Sequence, residues 1–348
     1  MNVPRLPTNR ASSGEKSLTV LRSLGYTSED RFTPAQGSDL GRVSIVHGAH
    51  CEVIWSDAAG AERTSTCRLS PNPAPRPVAG DWVTLRDEKI IDIVERRSAL
   101  RRPDPNGRDV QVLAANLDLV LLVVPINRGL NVRMLERFAI MAWESDARPF
   151  VVLTKADEAD DVAALLEETR SVVPGVEILT TSSESGEGID HLRALLHEGV
   201  TAVMLGASGA GKTSLLNALE GITETTRSVT RSGEGRHATT TRKLYRLSAG
   251  GVLLDIPGIR LLDLMVGQAG VNETFADISA LASNCRFRDC AHHGDLGCAV
   301  EAAVVVGTLS PRRLENWRLI QSELAHQAHR RSPEETTRGR RAKPLPRD

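Results

Sequence analysis

The sequence predicts a multidomain chain: an N-terminal OB-fold β-barrel, a central P-loop α/β domain and a C-terminal helical zinc-binding unit. Three observations predict it. Short strand-like segments separated by turn residues fill 41–100. Continuous apolar runs alternate with helical patterns over 119–255. Cysteines and histidines crowd into 285–298. Alternating strands and helices mark a parallel sheet covered on both faces. Many short strands with Gly/Pro turns mark a barrel.

Bulk properties set limits. A length of 348 residues allows two or three domains. Net charge is −1, so nucleic-acid binding requires a local patch. No apolar run reaches the ~18 residues of a membrane span, and the first ten residues lack a signal-peptide core. A cytoplasmic protein with no membrane partner, monomeric, is expected. The five cysteines are an odd number, which in a reducing compartment favours metal over disulfides.

The elements follow in order. Residues 1–37 are polar with one short helical candidate at 16–24, and read as a flexible arm. The barrel is assigned to 38–104, with strands at 42–46, 51–55, 64–69, 81–85 and 90–94 and a proline-rich connector at 71–77. A generic barrel used only for packing would show the same pattern. Arg96, Arg97, Arg101 and Arg102 flank its exit and tilt the reading toward RNA contact. The α/β domain is assigned to 109–270. Its run Leu119-Val-Leu-Leu-Val-Val124 has the composition of a strand buried on both faces. Helices are expected at 134–143, 160–170 and 189–196, and strands at 150–153, 176–179 and 252–255. Residues 271–330 form the Cys/His-rich unit, ending in a helix at about 311–329. In the tail, 330–348, seven basic residues face three acidic ones, giving +4. Disorder is expected for 331–348.

Four segments point to a nucleotide. Gly206, Ala207, Ser208, Gly209, Ala210, Gly211, Lys212 and Thr213 spell a complete phosphate-binding loop, and Ser214 opens the helical pattern after it. Small residues let backbone N–H groups turn toward phosphate, and the helix N-terminus adds its dipole. Lys212 is expected at the β/γ-phosphates and Thr213 at Mg²⁺. Asp255-Ile-Pro-Gly258 follows an apolar strand, where an aspartate holds Mg²⁺ and the Gly258 N–H can follow the γ-phosphate. Thr154, Lys155, Ala156 and Asp157 resemble the N-K-x-D guanine reader, with Asp157 accepting two bonds from the guanine edge. Threonine replaces the usual asparagine, so a weaker tie to the P-loop is expected. Ser182 and Ser183, after the next strand, look like the companion loop that meets guanine O6. Residues 235–241 lie between P-loop helix and Asp255, where a threonine, Thr240, can close over Mg²⁺ and the γ-phosphate.

Base reader, companion loop, P-loop, switch and D-x-P-G is a circular permutation of the usual GTPase order. With the barrel before it and the Cys/His knot after it, the chain closely resembles the ribosome small-subunit-dependent GTPase A (RsgA/YjeQ) family. Gly80-Asp-Trp-Val83, Ala115-Asn-Leu-Asp118 and Asp255-Ile-Pro-Gly-Ile-Arg260 are further hallmarks, and coverage runs from about Gly41 to the C-terminal helix. The resemblance implies an OB-fold, a permuted GTPase domain and a zinc domain. It further implies late maturation of the small ribosomal subunit with its 16S-type rRNA, and GTP hydrolysis to GDP stimulated by that subunit.

Cys285, Cys290, a histidine and Cys298 make a set suited to one closed, tetrahedral structural zinc. Spacing alone leaves His292 and His293 open; the family pattern implies His292. Ile259 stands where Ras-type enzymes carry a water-orienting glutamine. An apolar side chain cannot orient water, so slow intrinsic hydrolysis is expected, with His237 the internal candidate for catalysis. The rival readings are a P-loop small-molecule kinase and an RNA-docking module that uses GTP for order with negligible turnover.

Overall fold

The structure is a computed structural model and describes residues 11–27, 37–57, 59–69, 75–103, 110–221, 243–255 and 267–331. Strands β1 (Asp39–His47), β2 (His50–Ser56), β3 (Glu62–Arg68), β4 (Trp82–Arg86) and β5 (Lys89–Ile93) form the N-terminal antiparallel unit. Its ladder order is β3-β2-β1-β4-β5, and β3 also lies against β5. Alternation sends Val43, Cys51, Val53, Cys67, Val83 and Leu85 to one interior.

Two expectations about this end of the chain are corrected. Helix α1 (Ala11–Ser23) and the turn after it dock on the barrel. Leu21 and Leu24 share a core with Leu40 and Trp82, and Tyr26 meets Trp82 edge-on at 5.5 Å. Residues 20–26 are therefore packed, and this part of the predicted arm is not loose. Residues 99–103, assigned to the barrel, form β6 (Ala99–Pro103), which pairs with β7 (Val110–Ala115) in a separate hairpin. Leu100, Leu113 and Ala114 are buried in the core of the next domain, and that burial takes the hairpin out of the barrel.

The central sheet runs β10-β9-β8-β11-β13-β12, built from β8 (Leu119–Pro125), β9 (Arg148–Thr154), β10 (Glu177–Thr180), β11 (Thr201–Leu205), β12 (Lys243–Arg246) and β13 (Val252–Asp255). All pairs are parallel except β12–β13. Along β8, Val120, Leu122 and Val124 face one core while Leu119, Leu121 and Val123 face the other. That two-sided burial explains the unbroken apolar run. Helices α2 (Val132–Trp143) and α3 (Val162–Val172) cover the first face; α4 (Ile189–Leu195) and α5 (Lys212–Glu220) cover the second.

The barrel is fastened to this sheet. Ile45 of β1 bridges Lys243 of β12, and Arg246 of β12 forks onto Glu62 of β3 at 2.6 and 2.9 Å. Arg42, fully buried, lies at the joint. Its guanidinium donates to Leu24 O, to Gly80 O at 3.2 Å, to Asn116 O at 3.0 Å and to Thr201 Oγ1 at 2.8 Å. Gly25, at φ +86°, passes so close that an added Cβ would lie 2.4 Å from Arg42 Nη1, so a side chain there would split the joint.

The C-terminal unit comprises α6 (Gln268–Thr274), α7 (Ala276–Ala282), α8 (Ala299–Val305) and α9 (Pro311–Arg331). Its core includes Ile140 of α2. A Cβ at Gly270 would sit 2.3 Å from Ile140 O, and Glu144 Oε1 accepts the Gly270 N–H, so α6 lies tight on α2. Arg313 of α9 bonds Asp277 at 2.7 and 2.8 Å, Glu136 at 3.2 Å, and the carbonyls of Val172 and Thr274.

Candidate functional site

The register of the parallel strands brings the predicted nucleotide segments to one sheet edge. Leu205 pairs with Leu122, Pro125 with Thr154, and Leu153 with Thr180. The predicted base-reading loop and its companion thus leave the adjacent strands β9 and β10, and the P-loop leaves β11 one strand beyond β8, all at the C-terminal edge where open α/β sheets bind ligands.

In the P-loop, Gly206 is fixed by space: a Cβ would lie 2.6 Å from Val123 O of β8. Gly209 and Gly211 take positive φ, and α5 starts at Lys212. Lys212 Nζ donates to Gly206 O at 2.7 Å and Ala207 O at 3.0 Å. Burial lowers its pKa, with the negative charge of Asp255 working against that shift. Burial likewise raises the Asp255 carboxyl, against the charge of Lys212. The two opposite charges therefore act on each other beside the P-loop.

Thr154 is buried and its Oγ1 donates to Ala210 O of the P-loop at 2.7 Å. The hydroxyl thus reaches the P-loop directly, through a single bond. Lys155 takes a left-handed conformation, φ 60°, and the turn Ala156–Glu158 places Asp157 at the exposed mouth. Ala156 N–H donates to Thr181 O at 3.2 Å, which links reader and companion loop. Ser182 is buried and its Oγ accepts the N–H groups of Glu184 and Ser185; Ser183 is exposed. His237, Thr240 and Gly258 lie outside the described residues, as do residues 235–241 as a whole, Ile259 and the tail from 332.

A second site lies in the C-terminal unit. Ligand atoms of Cys285, Cys290, His292 and Cys298 all fall within 4.8 Å of one another. His292 Nδ1 lies 3.6, 3.4 and 3.3 Å from the sulfurs of Cys285, Cys290 and Cys298. A tetrahedral ion with bonds of about 2.3 Å to sulfur and about 2.0 Å to nitrogen needs S···N edges of roughly 3.5 Å, so the cluster could hold a metal ion. His293 is exposed, its N–H given to Asp295, and geometry selects His292. Trp317 packs edge-on to the His292 ring at 5.4 Å. Arg318 donates to His292 O and pairs with Glu301, whose carboxylate accepts the Gly294 N–H. These neighbours orient the ligands.

The four partly exposed exit arginines all have partners within the chain. Arg96 forks onto buried Asp81 at 2.7 and 2.8 Å. Arg97 pairs with Asp118, Arg101 donates to backbone carbonyls, and Arg102 bonds Gln111. The reading also missed Arg42; its only signal was an arginine inside a strand-like apolar pattern.

Comparison with known proteins agrees with this geometry. The family model described as RsgA GTPase matches residues 93–265. The small ribosomal subunit biogenesis GTPase RsgA of Streptomyces coelicolor is 41% identical, over 90% of this chain and 89% of that one. RsgA 1 of Listeria innocua is 35% identical over 90% of this chain and 92% of its own length. The solved structure of YjeQ from Thermotoga maritima superposes with a TM-score of 0.61 at 26% identity, covering 82% of this chain and 99% of that one. YloQ, titled a circularly permuted GTPase, gives 0.59 at 22% identity, over 85% and 98%, and bears on the fold alone.

Proposed function

The chain belongs to the RsgA GTPase family, and from that premise we propose a GTP-hydrolysing factor that binds the small ribosomal subunit and assists its late maturation. The observation that carries the nucleotide reading is the Thr154–Ala210 bond, which locks the base reader onto the P-loop. Asp157 is the guanine-selective acceptor, with the companion loop of Ser182 and Ser183 behind it. Lys212 exchanges its loop carbonyls for the β/γ-phosphates, where its charge offsets charge developing on the leaving oxygen. Thr213 and Asp255 would hold Mg²⁺, which neutralises phosphate charge when bound. Thr240, Gly258 and His237 complete the proposal from sequence, His237 as the group presented to the γ-phosphate.

In the C-terminal unit, three thiolates and one imidazole favour zinc, one per chain, in a structural role because all four positions are protein ligands. The strand order β3-β2-β1-β4-β5 with β3 against β5 supports an OB-type barrel, whose partner would be 16S-type rRNA. No helix among the described residues is long and apolar enough to cross a membrane. A monomer acting in the cytoplasm is the reading that accompanies this function.

The deciding experiment is GTP turnover with and without small subunits. Stimulated turnover is expected. Subunit binding without stimulation would instead support an assembly module with negligible hydrolysis. Asp157→Asn should shift preference toward xanthine nucleotides; unchanged GTP affinity would remove Asp157 from the site. His237→Ala should keep docking in a non-hydrolysable analogue and lose stimulated turnover.

A further inference from the structure

Two of the five cysteines lie outside the metal cluster. Cys51 is the second residue of β2 and Cys67 the last but one of β3, and the antiparallel ladder sets them directly opposite each other. Both side chains point into the barrel, 1% and 3% exposed, among Val43, Val53, Leu69 and Val83. Both are free thiols. Directly opposed residues of such a pair have Cα atoms about 4.5–5.5 Å apart, inside the ~4.4–6.8 Å window of a disulfide.

The thiols are ordered in a relay. Cys51 and Cys67 hydrogen-bond to each other, and Cys67 Sγ donates to Glu88 O at 3.2 Å. The bond from Cys51 holds the Cys67 thiol below its ordinary value, and the same bond pushes the Cys51 thiol up. The ladder aims the two sulfurs at each other, and Cys67 is assigned the first attack. The pair is buried but not remote: His50, beside Cys51, belongs to the exposed turn formed by residues 47–50.

We propose that Cys51 and Cys67 form a peroxide-sensitive modification site that closes into a cross-strand disulfide. The Cys67 thiolate attacks one oxygen of hydrogen peroxide; the O–O bond breaks, and the departing hydroxide takes up a proton to become water. Cys67 is left as a sulfenic acid. Cys51 sulfur then attacks Cys67 sulfur, the S–O bond breaks, and hydroxide leaves with the Cys51 proton as a second water. Two thiols and one peroxide give one disulfide and two waters, the protein oxidised and the peroxide reduced. Closure also removes the S–H that Glu88 O accepts, which loosens the β4–β5 turn.

The test uses the reduced, metal-loaded full chain. It is treated with hydrogen peroxide, quenched with an alkylating agent under denaturing conditions, and mapped by peptide mass spectrometry. The expected result is a Cys51–Cys67 linked peptide in most chains, lost on dithiothreitol treatment. Amide exchange of residues 87–89 should speed up with the same dose dependence. In Cys51→Ala, Cys67 should stop at the sulfenic acid, trapped by a dione probe, with no linked peptide. Peroxide that leaves both thiols alkylated as free, or that joins either to Cys285, Cys290 or Cys298, overturns the proposal. The wild-type map decides this alone if the variant does not fold.

Discussion

At position 154 a buried hydroxyl ties the base reader to the P-loop. Thr154→Val keeps shape and removes the donor, leaving Ala210 O unpaired at a buried position. A lost bond of this kind costs about 1–1.5 kcal/mol, so GTP affinity should fall roughly tenfold, measured by fluorescent-nucleotide titration. Thr154→Ser should retain most of it. Arg42→Met would remove the guanidinium donors to Leu24 O and Asn116 O, and a loss of about 3 kcal/mol in chemical denaturation is expected. The two positions differ in how well the sequence announced them. Lys212, Asp157 and Cys285 stood out in the sequence because the chemistry proposed for each demands one residue type at one spacing. The Arg96–Asp81 pair was not legible, because a sequence displays a charge but not its counter-charge: Asp81 meets it only after the barrel has folded. Thr154 was recognised, yet its bond partner lies 56 residues away.

The elements best read in advance were those whose burial leaves a compositional mark. Strand β8, buried on both faces, and the amphipathic α2 fall where periodicity put them. Hairpin β6–β7 and strand β12 were missed. Strands β6 and β12 are short and carry arginine or lysine, so no apolar run marks them, and β7 becomes a hairpin strand only through its pairing with β6. The contacts between elements set a pH dependence. Burial pushes the Glu136 carboxyl of α2 up to about 7, despite Arg313 and Asn316 beside it. Its ordinary value is 4.5, so between 4.5 and about 7 the folded chain binds a proton that the unfolded chain has released. Stability from this group is therefore present at low pH and lost as pH rises through that window. Glu136→Gln has no such proton. Its stability relative to wild type should rise by on the order of 1–3 kcal/mol from pH 4.5 to 8, as read by paired urea melts.

Across the whole molecule, the anchoring of the outer units bears on coupling. Chain order alone, with residues 256–266 leading into α6, would route a nucleotide-dependent shift to the metal-binding unit and leave the barrel separate. Instead α6 is clamped to α2 by Gly270 and Glu144, and the barrel is fastened to β12, the strand that follows the predicted switch. Exchange of GDP for a GTP analogue should change amide protection at 243–246 and 42–46 more than at 268–282; the opposite ranking would restore the first idea. Metal removal should also act beyond its own unit. Because Ile140 sits in the C-terminal core, Cys285→Ser should lose metal and lower the melting temperature of the GTP-bound form by about 3–5 °C, with nucleotide binding retained.

The joint at Arg42 also imposes a timetable. Its partners Leu24, Gly80 and Asn116 emerge from the ribosome early, but Thr201 follows 159 residues after Arg42 itself, and Lys243, which meets Ile45, later still. Domains generally fold in the order of synthesis, and contacts between distant segments are slow to form. A nascent chain arrested after residue 180 should therefore hold a barrel with one buried cation incompletely satisfied, and one arrested after about residue 290 should not. Limited proteolysis of the two arrested chains, at sites in 42–46, would register the difference as protection gained only when β11 and β12 arrive.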